Sequence, residues 1–425
     1  MDMIKVKKAG PWLWIPTLYF AEGLPYFIVN TIALAVFKDM GLDNGTLGLV
    51  TTIISLPWLI KPFWSPFVDI FRSKRWWILS MQVAMAVAVL LVALLLPVTS
   101  FTMILILFLV VAFASATHDI AADGFYMLAL DPKNQSAFVG VRSTFYRIAS
   151  VFGQGVLVVL AGVLQRRVGD VSKAWSIVLL VSALILAAIT LYHFLIVPVP
   201  ADDVDNREGK SAARIFREFG ESFATFFTKK DVWIAILFML LYRLPEALSV
   251  NMLYPFFKDP VSEGGLGLTT DAYGMVYGTF GVVALLAGGI IGGVYASRIG
   301  LKKALWPMAL SLALPCAVYL YMALTQPSNL WIVGGCIVFD QFGYGFGFTA
   351  YMLYLIYYSE GEFKTAHYSL CTAFMAMSMM LPGMVAGYVQ ESIGYTSFFI
   401  FVMACCLVTV AVTALLKVDP EYGKK

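Results

Sequence analysis

The sequence has 425 residues, of which 60% are hydrophobic and 13% are charged. Soluble domains carry about 25% charged residues, so this composition excludes a soluble globular protein and indicates many membrane-spanning helices. The net charge of +3 includes no basic run long enough to bind nucleic acid, and the five cysteines show no zinc-ligand spacing. We therefore expect no nucleic-acid partner, no metal and no cofactor.

Twelve apolar stretches are each long enough to cross a bilayer as a helix, which takes about 20 residues. They lie near residues 12–37, 46–69, 76–98, 102–129, 136–164, 174–197, 232–257, 270–296, 303–324, 329–358, 364–390 and 395–416. We number these spans 1 to 12. The first is too long for the core of a signal peptide, so we expect it to stay in the chain as a span.

The basic residues predict the orientation of the spans, because lysine and arginine are enriched in cytoplasmic loops. With the N-terminus in the cytoplasm, most basic loop residues face inward. The exceptions, which face outward, are Lys38, Arg166, Arg167, Lys173 and Lys258. Both termini are then expected in the cytoplasm, and nothing in the pattern requires more than a monomer.

A long loop, residues 199–230, separates span 6 from span 7. It carries phenylalanines at spacings of three and four, which predict an amphipathic helix on the membrane surface. These are Phe216, Phe219, Phe223, Phe226 and Phe227. The loop divides the chain into two predicted helical bundles, residues 1–198 and residues 231–425.

Short runs of sequence recur between the two bundles at nearly constant distances of 220 and 225 residues. They are Leu24-Pro25 with Leu244-Pro245, Phe37-Lys38-Asp39 with Phe257-Lys258-Asp259, and Tyr126-Met127-Leu128 with Tyr351-Met352-Leu353. Recurrence in register indicates an internal duplication. The sequence thus predicts an all-α membrane protein of twelve spans, built as two pseudo-symmetric six-helix bundles.

Two such bundles in parallel orientation, joined by a cytoplasmic linker, resemble the major facilitator superfamily. That superfamily carries the motif Gly-x-x-x-Asp-Arg-x-Gly-x-Lys/Arg-Lys/Arg after its second and eighth helices. The matching residues are Gly293, Arg298 and Gly300 in the second copy and Asp69 and Arg72 in the first. The resemblance implies that these residues form a gating motif on the cytoplasmic side.

Ionisable residues inside the spans are the strongest functional signal, because a charge at mid-bilayer is costly and implies a partner, a wet cavity or a function. They are Glu22, Lys61, Asp119, Asp123, Arg142, Arg147, Arg243, Glu246 and Asp340. They fall on spans 1, 2, 4, 5, 7 and 10 and avoid spans 3, 6, 9 and 12. In the superfamily the first set lines or flanks a central cavity, and the second set faces lipid.

The rise of about 1.5 Å per residue places Asp119 and Arg147 near the bilayer midplane, with Asp123 and Arg142 closer to the cytoplasm. The pairs Asp119–Arg147 and Asp123–Arg142 are either structural ion pairs or parts of a transport site. His118 is either a proton relay or a packing residue. The sequence alone decides neither the role of the two charge pairs nor the role of His118.

A buried carboxylate that can exchange its partner for a proton or a substrate is what coupled transport requires. The candidate proton-coupling residues are Glu22, Asp119 and Asp123. The candidate substrate-binding residues are Lys61, Arg147, Arg243, Glu246, Asp340, Tyr26, Tyr126 and Tyr146. No nucleophile–base arrangement is visible, so we do not expect an enzyme.

Four runs resemble the AmpG-type muropeptide permeases. They are Gly23-Leu24-Pro25, Lys61-x-x-Trp64-Ser65-Pro66-x-x-Asp69, Asp119-Ile120-x-x-Asp123 and Tyr146-Arg147. The resemblance implies a symporter of the bacterial inner membrane that imports N-acetylglucosaminyl-anhydro-N-acetylmuramyl peptides with protons. Its partners would be an anionic sugar or muropeptide, protons and the lipid bilayer. Residues 119–124 equally resemble the acetyl-CoA transporters.

Three alternatives remain at this point. The same fold would carry another acidic oligosaccharide or acetyl-CoA. The polar interior would instead serve a membrane-embedded acyl- or glycosyltransferase, although the internal repeat argues against it. The third alternative is a sensor that has lost transport.

Overall fold

The computed structural model describes residues 10–130, 132–200, 203, 212–361, 364–420 and 422. The first part of the chain forms long helices that follow the predicted spans. They are α1 (Pro11–Asp39), α2 (Asn44–Phe63), α3 (Lys74–Leu95), α4 (Phe101–Ala129), α5 (132–168) and α6 (Val171–Ile196). A shorter helix, α7 (Ala212–Phe227), occupies the predicted linker.

The second part repeats this plan. Its helices are α8 (Val232–Lys258), α9 (Thr270–Ile299), α10 (Leu301–Thr325), α11 (Leu330–Ser359), α12 (364–393) and α13 (395–414). The last two form one continuous stretch that bends at Gly394, whose φ of 74° and ψ of 165° are not helical. Ten stretches in the described part are long and apolar enough to cross a membrane, and one of them contains this bend. The all-α class is confirmed, and the order of helices is consistent with twelve spans.

The helices form two compact units that are discontinuous in sequence. Unit 1 contains Met1–Val36 and Ile54–Phe216, and unit 2 contains Phe37–Ile53 and Arg217–Lys425. The predicted boundaries followed the linker and kept residues 37–53 with the first bundle. By contacts, this segment belongs to unit 2.

Both repeated Leu-Pro pairs lie at irregular points of their helices. Pro25 precedes a π-helical segment, Ile28–Ile32, within α1. Pro245 follows the point where α8 restarts after Arg243. Proline has no amide hydrogen to donate, so it loosens the helix at these points. The irregular turns lie beside the charged residues of spans 1 and 7.

Glycines permit the close helix packing that the repeats require. A Cβ atom on Gly23 of α1 would lie 2.9 Å from the Cβ of Ala149 on α5. In unit 2, a Cβ on Gly345 of α11 would lie 2.0 Å from the carbonyl oxygen of Leu285 on α9. These contacts exclude larger side chains and explain the glycine-rich runs as helix-packing surfaces.

The linker helix α7 forms within the predicted linker, but one end of it packs on protein and not on lipid. Phe226 is fully buried in the core of unit 2, and Phe223 and Phe227 pack against the same core. Thr225 lies 3.2 Å from Nε2 of His367. This end of the phenylalanine stripe therefore packs on protein, because α12 offers an apolar surface that competes with lipid. The side chains of Phe216 and Phe219 lie outside the described residues.

Candidate functional site

Asp119 is held by a lysine from another helix. The α-helical part of α2 ends at Ile60, and Lys61 begins a tight turn that contains Pro62. From this turn Nζ of Lys61 donates to Oδ2 of Asp119 on α4. The predicted partner was Arg147, and that pairing is wrong because the Arg147 side chain is exposed while Lys61 occupies the carboxylate.

Asp123 pairs with Arg142, one of the two arrangements that the sequence predicted. Nη2 of Arg142 on α5 lies 2.7 Å from Oδ1 of Asp123 on α4. The Tyr19 hydroxyl donates to the same oxygen at 3.4 Å. The guanidinium of Arg142 also lies 4.6 Å from the ring centroid of Tyr19 and 5.7 Å from that of Tyr126. Cation–π contacts of this kind act together with the Asp123 carboxylate to fix the position of the Arg142 guanidinium.

Glu22 connects these groups from α1. Its side chain is buried, and its carboxyl group lies close to that of Asp119. Oε2 of Glu22 has no hydrogen-bond partner in the described part of the chain. Two ionised carboxyl groups at such close range repel each other, and a proton on either one removes that repulsion.

We call these five residues the Asp119 cluster: Glu22, Lys61, Asp119, Asp123 and Arg142. Its three carboxyl groups face two cations, so the cluster is neutral only when it holds one proton or one further cation. Its ion pairs are also partly accessible, since the Lys61 and Asp119 side chains are 33% and 19% exposed. The arrangement can exchange a partner without unfolding.

His118 belongs to a separate buried chain of polar groups in unit 1. Its Nε2 lies 3.0 Å from Nε2 of Gln82 on α3, and therefore accepts from that amide. Oε1 of Gln82 lies 3.0 Å from Nδ1 of His193 on α6, whose Nε2 lies 2.8 Å from the Thr17 hydroxyl. This chain ties four helices together and fits a packing histidine.

Unit 2 places Arg243 and Glu246 in a closed pair. Nε of Arg243 lies 2.9 Å from Oε2 of Glu246, and Nη2 lies 3.2 Å from Oε1. The Tyr344 hydroxyl accepts from Nη2 at 2.7 Å. Both charged side chains are about 90% buried, at 7% and 10% exposed. A bidentate pair of this geometry is a strong clamp inside α8.

Asp340 lies on α11 with neutral partners. The Tyr319 hydroxyl and Nε2 of Gln341 both donate to its Oδ2. Asp340, Glu246 and Ser249 line one small cavity of unit 2. Arg243 is already paired with Glu246, so the donors to the Asp340 carboxylate in the described part of unit 2 are neutral groups.

The predicted aromatic residues form two groups in unit 1. Tyr26 lies 6.5 Å from Tyr146 and 5.1 Å from Trp58, measured between ring centroids. Trp58, on α2, had no signal in the sequence that distinguished it from other apolar span residues. Tyr126 instead packs edge-on against Tyr19 at 5.9 Å, beside Arg142.

The gating motif is only partly described. Arg298 lies at the end of α9, and Gly300 ends that helix with a φ of 82°. Arg72 has a φ of 64° and lies 5.8 Å from the ring of Trp76. Gly293 lies on α9 with open space at its Cα, and the side chain of Asp69 lies outside the described residues.

Asp203, which the sequence analysis missed, joins the linker to the start of α3. Asp203 accepts the backbone amides of Lys74 at 2.6 Å and Arg75 at 2.9 Å. It therefore caps the first turn of α3, where backbone amides lack partners and the helix dipole favours a carboxylate. The acidic residues Asp202, Asp203 and Asp205 of the linker were the available signal, but the target of Asp203 depends on the fold.

Comparison with known proteins agrees with this architecture. The profile of the Major Facilitator Superfamily matches residues 17–362 and 240–425. The anhydromuropeptide permease of Escherichia coli (strain K12) is 24% identical over 412 residues, covering 96% of this chain and 80% of that protein. The putative transporter AmpG 4 of Rickettsia conorii is 23% identical over 420 residues, covering 96% of both.

Solved structures show the same fold at low identity. The nucleoside transporter NupG superposes with a TM-score of 0.71 at 16% identity, covering 96% of this chain and 99% of that chain. A D-xylose-proton symporter superposes with a TM-score of 0.71 at 13% identity, covering 97% and 98%. The chain therefore belongs to the Major Facilitator Superfamily and, like its AmpG-type relatives, is a membrane transporter and not an enzyme.

Proposed function

We propose that this protein is a proton-coupled secondary transporter that imports an anionic, glycan-derived solute, with anhydro-muropeptide as the leading cargo. The relatives named for that cargo match nearly the whole chain, which supports the cargo class. The proposal places the protein in the inner membrane of a bacterium as a monomer, with both termini in the cytoplasm. Its energy source is the proton gradient.

The observation that carries the coupling is the composition of the Asp119 cluster. Glu22 lies beside Asp119, so the two carboxyl groups repel each other until one of them takes up a proton. The same Asp119 carboxylate accepts a hydrogen bond from the ammonium of Lys61. A proton and Lys61 therefore compete for one carboxylate.

This competition supplies a mechanism for symport. When Asp119 takes a proton, its attraction for Lys61 falls, and the ammonium becomes available to a carboxylate of the cargo. When the proton leaves, Asp119 recaptures Lys61 and the cargo loses its partner. Each ligand thus favours the binding of the other, which is the thermodynamic requirement for coupling.

Other candidates have secondary roles in this proposal. The exposed Arg147 offers a second cation to an anionic cargo. Tyr26, Trp58 and Tyr146 offer aromatic faces on which sugar rings can stack. Asp123 and Arg142 hold α4 against α5 and keep Asp119 in place.

The test is uptake into proteoliposomes with an imposed inward proton gradient. Purified anhydro-muropeptide, a uronate disaccharide and acetyl-CoA are compared, each with and without a protonophore. We expect accumulation of the muropeptide that the protonophore abolishes. Accumulation of another cargo would overturn the muropeptide assignment, and uptake insensitive to both pH and protonophore would overturn the coupling.

A further inference from the structure

Residues 37–53 carry a set of polar contacts that the proposed transport site does not use. These residues contain the end of α1 and the start of α2, yet they belong to unit 2. Nζ of Lys38 lies 2.8 Å from Oδ1 of Asp259, and Nζ of Lys258 lies 3.5 Å from Oδ1 of Asp39. Each lysine thus pairs with the aspartate that follows the other lysine.

The reciprocity follows from the internal duplication. Phe37-Lys38-Asp39 and Phe257-Lys258-Asp259 are copies of one run, 220 residues apart. Each copy lies at the end of its helix, α1 or α8. Where the two copies meet, each lysine contacts the aspartate of the other copy, as residues do in an isologous interface. The result is two ion pairs with no net charge.

Each aspartate also accepts a tyrosine hydroxyl. Tyr254 donates to Oδ1 of Asp39 at 2.8 Å, and Tyr395 donates to Oδ2 of Asp259 at 2.6 Å. The Asp39 side chain is only 1% exposed, whereas that of Lys258 is 30% exposed. In the other pair, the Lys38 and Asp259 side chains are 13% and 12% exposed. Of the four charged side chains, Lys258 is therefore the most accessible to water and Asp39 the least.

Asn44, the first residue of α2, extends the same contacts. Its side-chain oxygen accepts from Lys38 at 2.7 Å, and its amide donates to Oε1 of Gln390 on α12 at 2.6 Å. One residue on, the Gly45 amide donates to Oε1 of Glu391 at 2.9 Å. Polar groups thus secure the beginning of α2 as well as the end of α1.

Glycines let the backbones approach beneath these contacts. A Cβ on Gly387 of α12 would lie 1.8 Å from the carbonyl oxygen of Asn44, and a Cβ on Gly48 of α2 would lie 2.7 Å from that of Gly383. The segment also buries the apolar side chains of Phe37, Leu47 and Val50, so apolar contacts and polar groups hold it together.

We propose that the two reciprocal Lys–Asp pairs are a latch that holds residues 37–53 in unit 2 and opens once in each transport cycle. Both α1 and α2 pass from unit 1 into unit 2 at this segment. Any movement of one unit relative to the other must therefore release the segment or bend both helices. Lys38 and Lys258 also lie on the side that the sequence predicts to face outward, where an imported solute enters.

The test measures opening directly and needs neither the cargo nor the coupling ion. A cysteine replaces Thr52, whose hydroxyl lies 3.3 Å from the Met380 carbonyl oxygen in the seam. Membrane-impermeant maleimide then labels the protein in sealed cells, and protein without Thr52→Cys corrects for native cysteines. Lys38→Asp should raise the labelling rate about tenfold, which corresponds to about 1.4 kcal/mol. Lys38→Gln, which introduces no repulsion, should raise it less.

The charge swap distinguishes a latch from a general loss of packing. Lys38→Asp combined with Asp259→Lys should return the labelling rate toward that of the parent. Reversal of the exposed Lys173–Asp170 pair, with side chains 63% and 39% exposed, is the matched control and should change nothing. Labelling that stays unchanged in Lys38→Asp, or that the swap fails to reduce, would overturn the proposal.

Discussion

The charged groups of the two units are built differently, although short runs of sequence recur between the two halves of the chain. In unit 1, the Lys61–Asp119 and Arg142–Asp123 pairs have side chains between 19% and 41% exposed, and Asp119 also contacts Glu22. In unit 2, Arg243 and Glu246 form one bidentate pair at 7% and 10% exposed. The first arrangement shares its carboxylates among several partners, and the second is closed.

This difference indicates which unit can exchange an ion-pair partner. A buried bidentate pair is costly to break, because the remaining charge has no other partner. A cluster with more carboxyl groups than cations can give up one contact and keep the others. We therefore propose that unit 1 carries the coupling and that the Arg243–Glu246 pair stabilises unit 2.

Breaking the closed pair should have the largest effect on stability. Arg243→Met leaves Glu246 buried without a cation and should lower the free energy of unfolding by about 3–5 kcal/mol. The double variant Arg243→Met with Glu246→Leu should recover most of that loss, because it removes both charges. Thermal unfolding of the purified protein in detergent measures both.

The matched control for this comparison is Lys173→Met, which breaks an exposed pair with Asp170 and should cost at most about 1 kcal/mol. An unchanged unfolding temperature in Arg243→Met would contradict a stabilising clamp. A double variant that folds normally but no longer transports would move the pair from structure to function.

Removing the exchangeable cation of unit 1 should act on transport more than on stability. Lys61→Met should raise the KM for an anionic cargo by about thirtyfold or more, since losing a hydrogen-bonded charge pair costs about 2–5 kcal/mol. Lys61→Arg keeps the charge and should retain part of the uptake. Equal loss of uptake and of folded protein in Lys61→Met would instead place Lys61 among the structural residues.

Asp340 provides a second test in unit 2, because two neutral hydrogen-bond donors converge on one of its carboxylate oxygens. In Asp340→Asn the amide oxygen can accept from Tyr319 and Gln341 as Oδ2 does now, so the unfolding temperature should stay equal or rise. Asp340→Leu leaves both donors unpaired and should cost about 1–3 kcal/mol. A loss in Asp340→Asn as large as in Asp340→Leu would show that the negative charge itself is needed.

The aromatic group of unit 1 should give the smallest effect. Trp58→Leu removes a ring that lies against Tyr26 and should raise the KM for a sugar-containing cargo about twofold to tenfold, matching about 0.5–1.5 kcal/mol for one aromatic contact. Trp175→Leu, which changes a fully buried tryptophan elsewhere in unit 1, is the control for packing alone. Equal KM changes in both variants would contradict stacking.

Much of the architecture could be predicted from the sequence, because apolar length and short-range spacing determine it. The spans and the Arg243–Glu246 pair, three residues apart on one helix, are of this kind. The Asp119–Arg147 pairing was wrong for a reason visible in helical geometry. Arg147 follows Arg142 by five residues and so points about 140° away from it. When Arg142 on α5 points toward Asp123 on α4, Arg147 on the same helix cannot also point toward α4.

Other contacts required the fold itself. Lys61 reaches Asp119 only because the helix gives way to a tight turn at Pro62. The repeated Phe-Lys-Asp runs were visible in the sequence, but their reciprocal pairing depends on how the two ends meet in space. Long-range contacts between helices leave no periodic signal along the chain.

The most direct test of the account compares gradient-driven accumulation with exchange in Asp119→Asn. The amide cannot ionise, so the cycle can no longer bind and release a proton at this position. We predict that proteoliposomes with this variant lose accumulation of the transported solute but still exchange labelled for unlabelled solute. Accumulation equal to that of the parent protein would contradict the assignment of coupling to the Asp119 cluster.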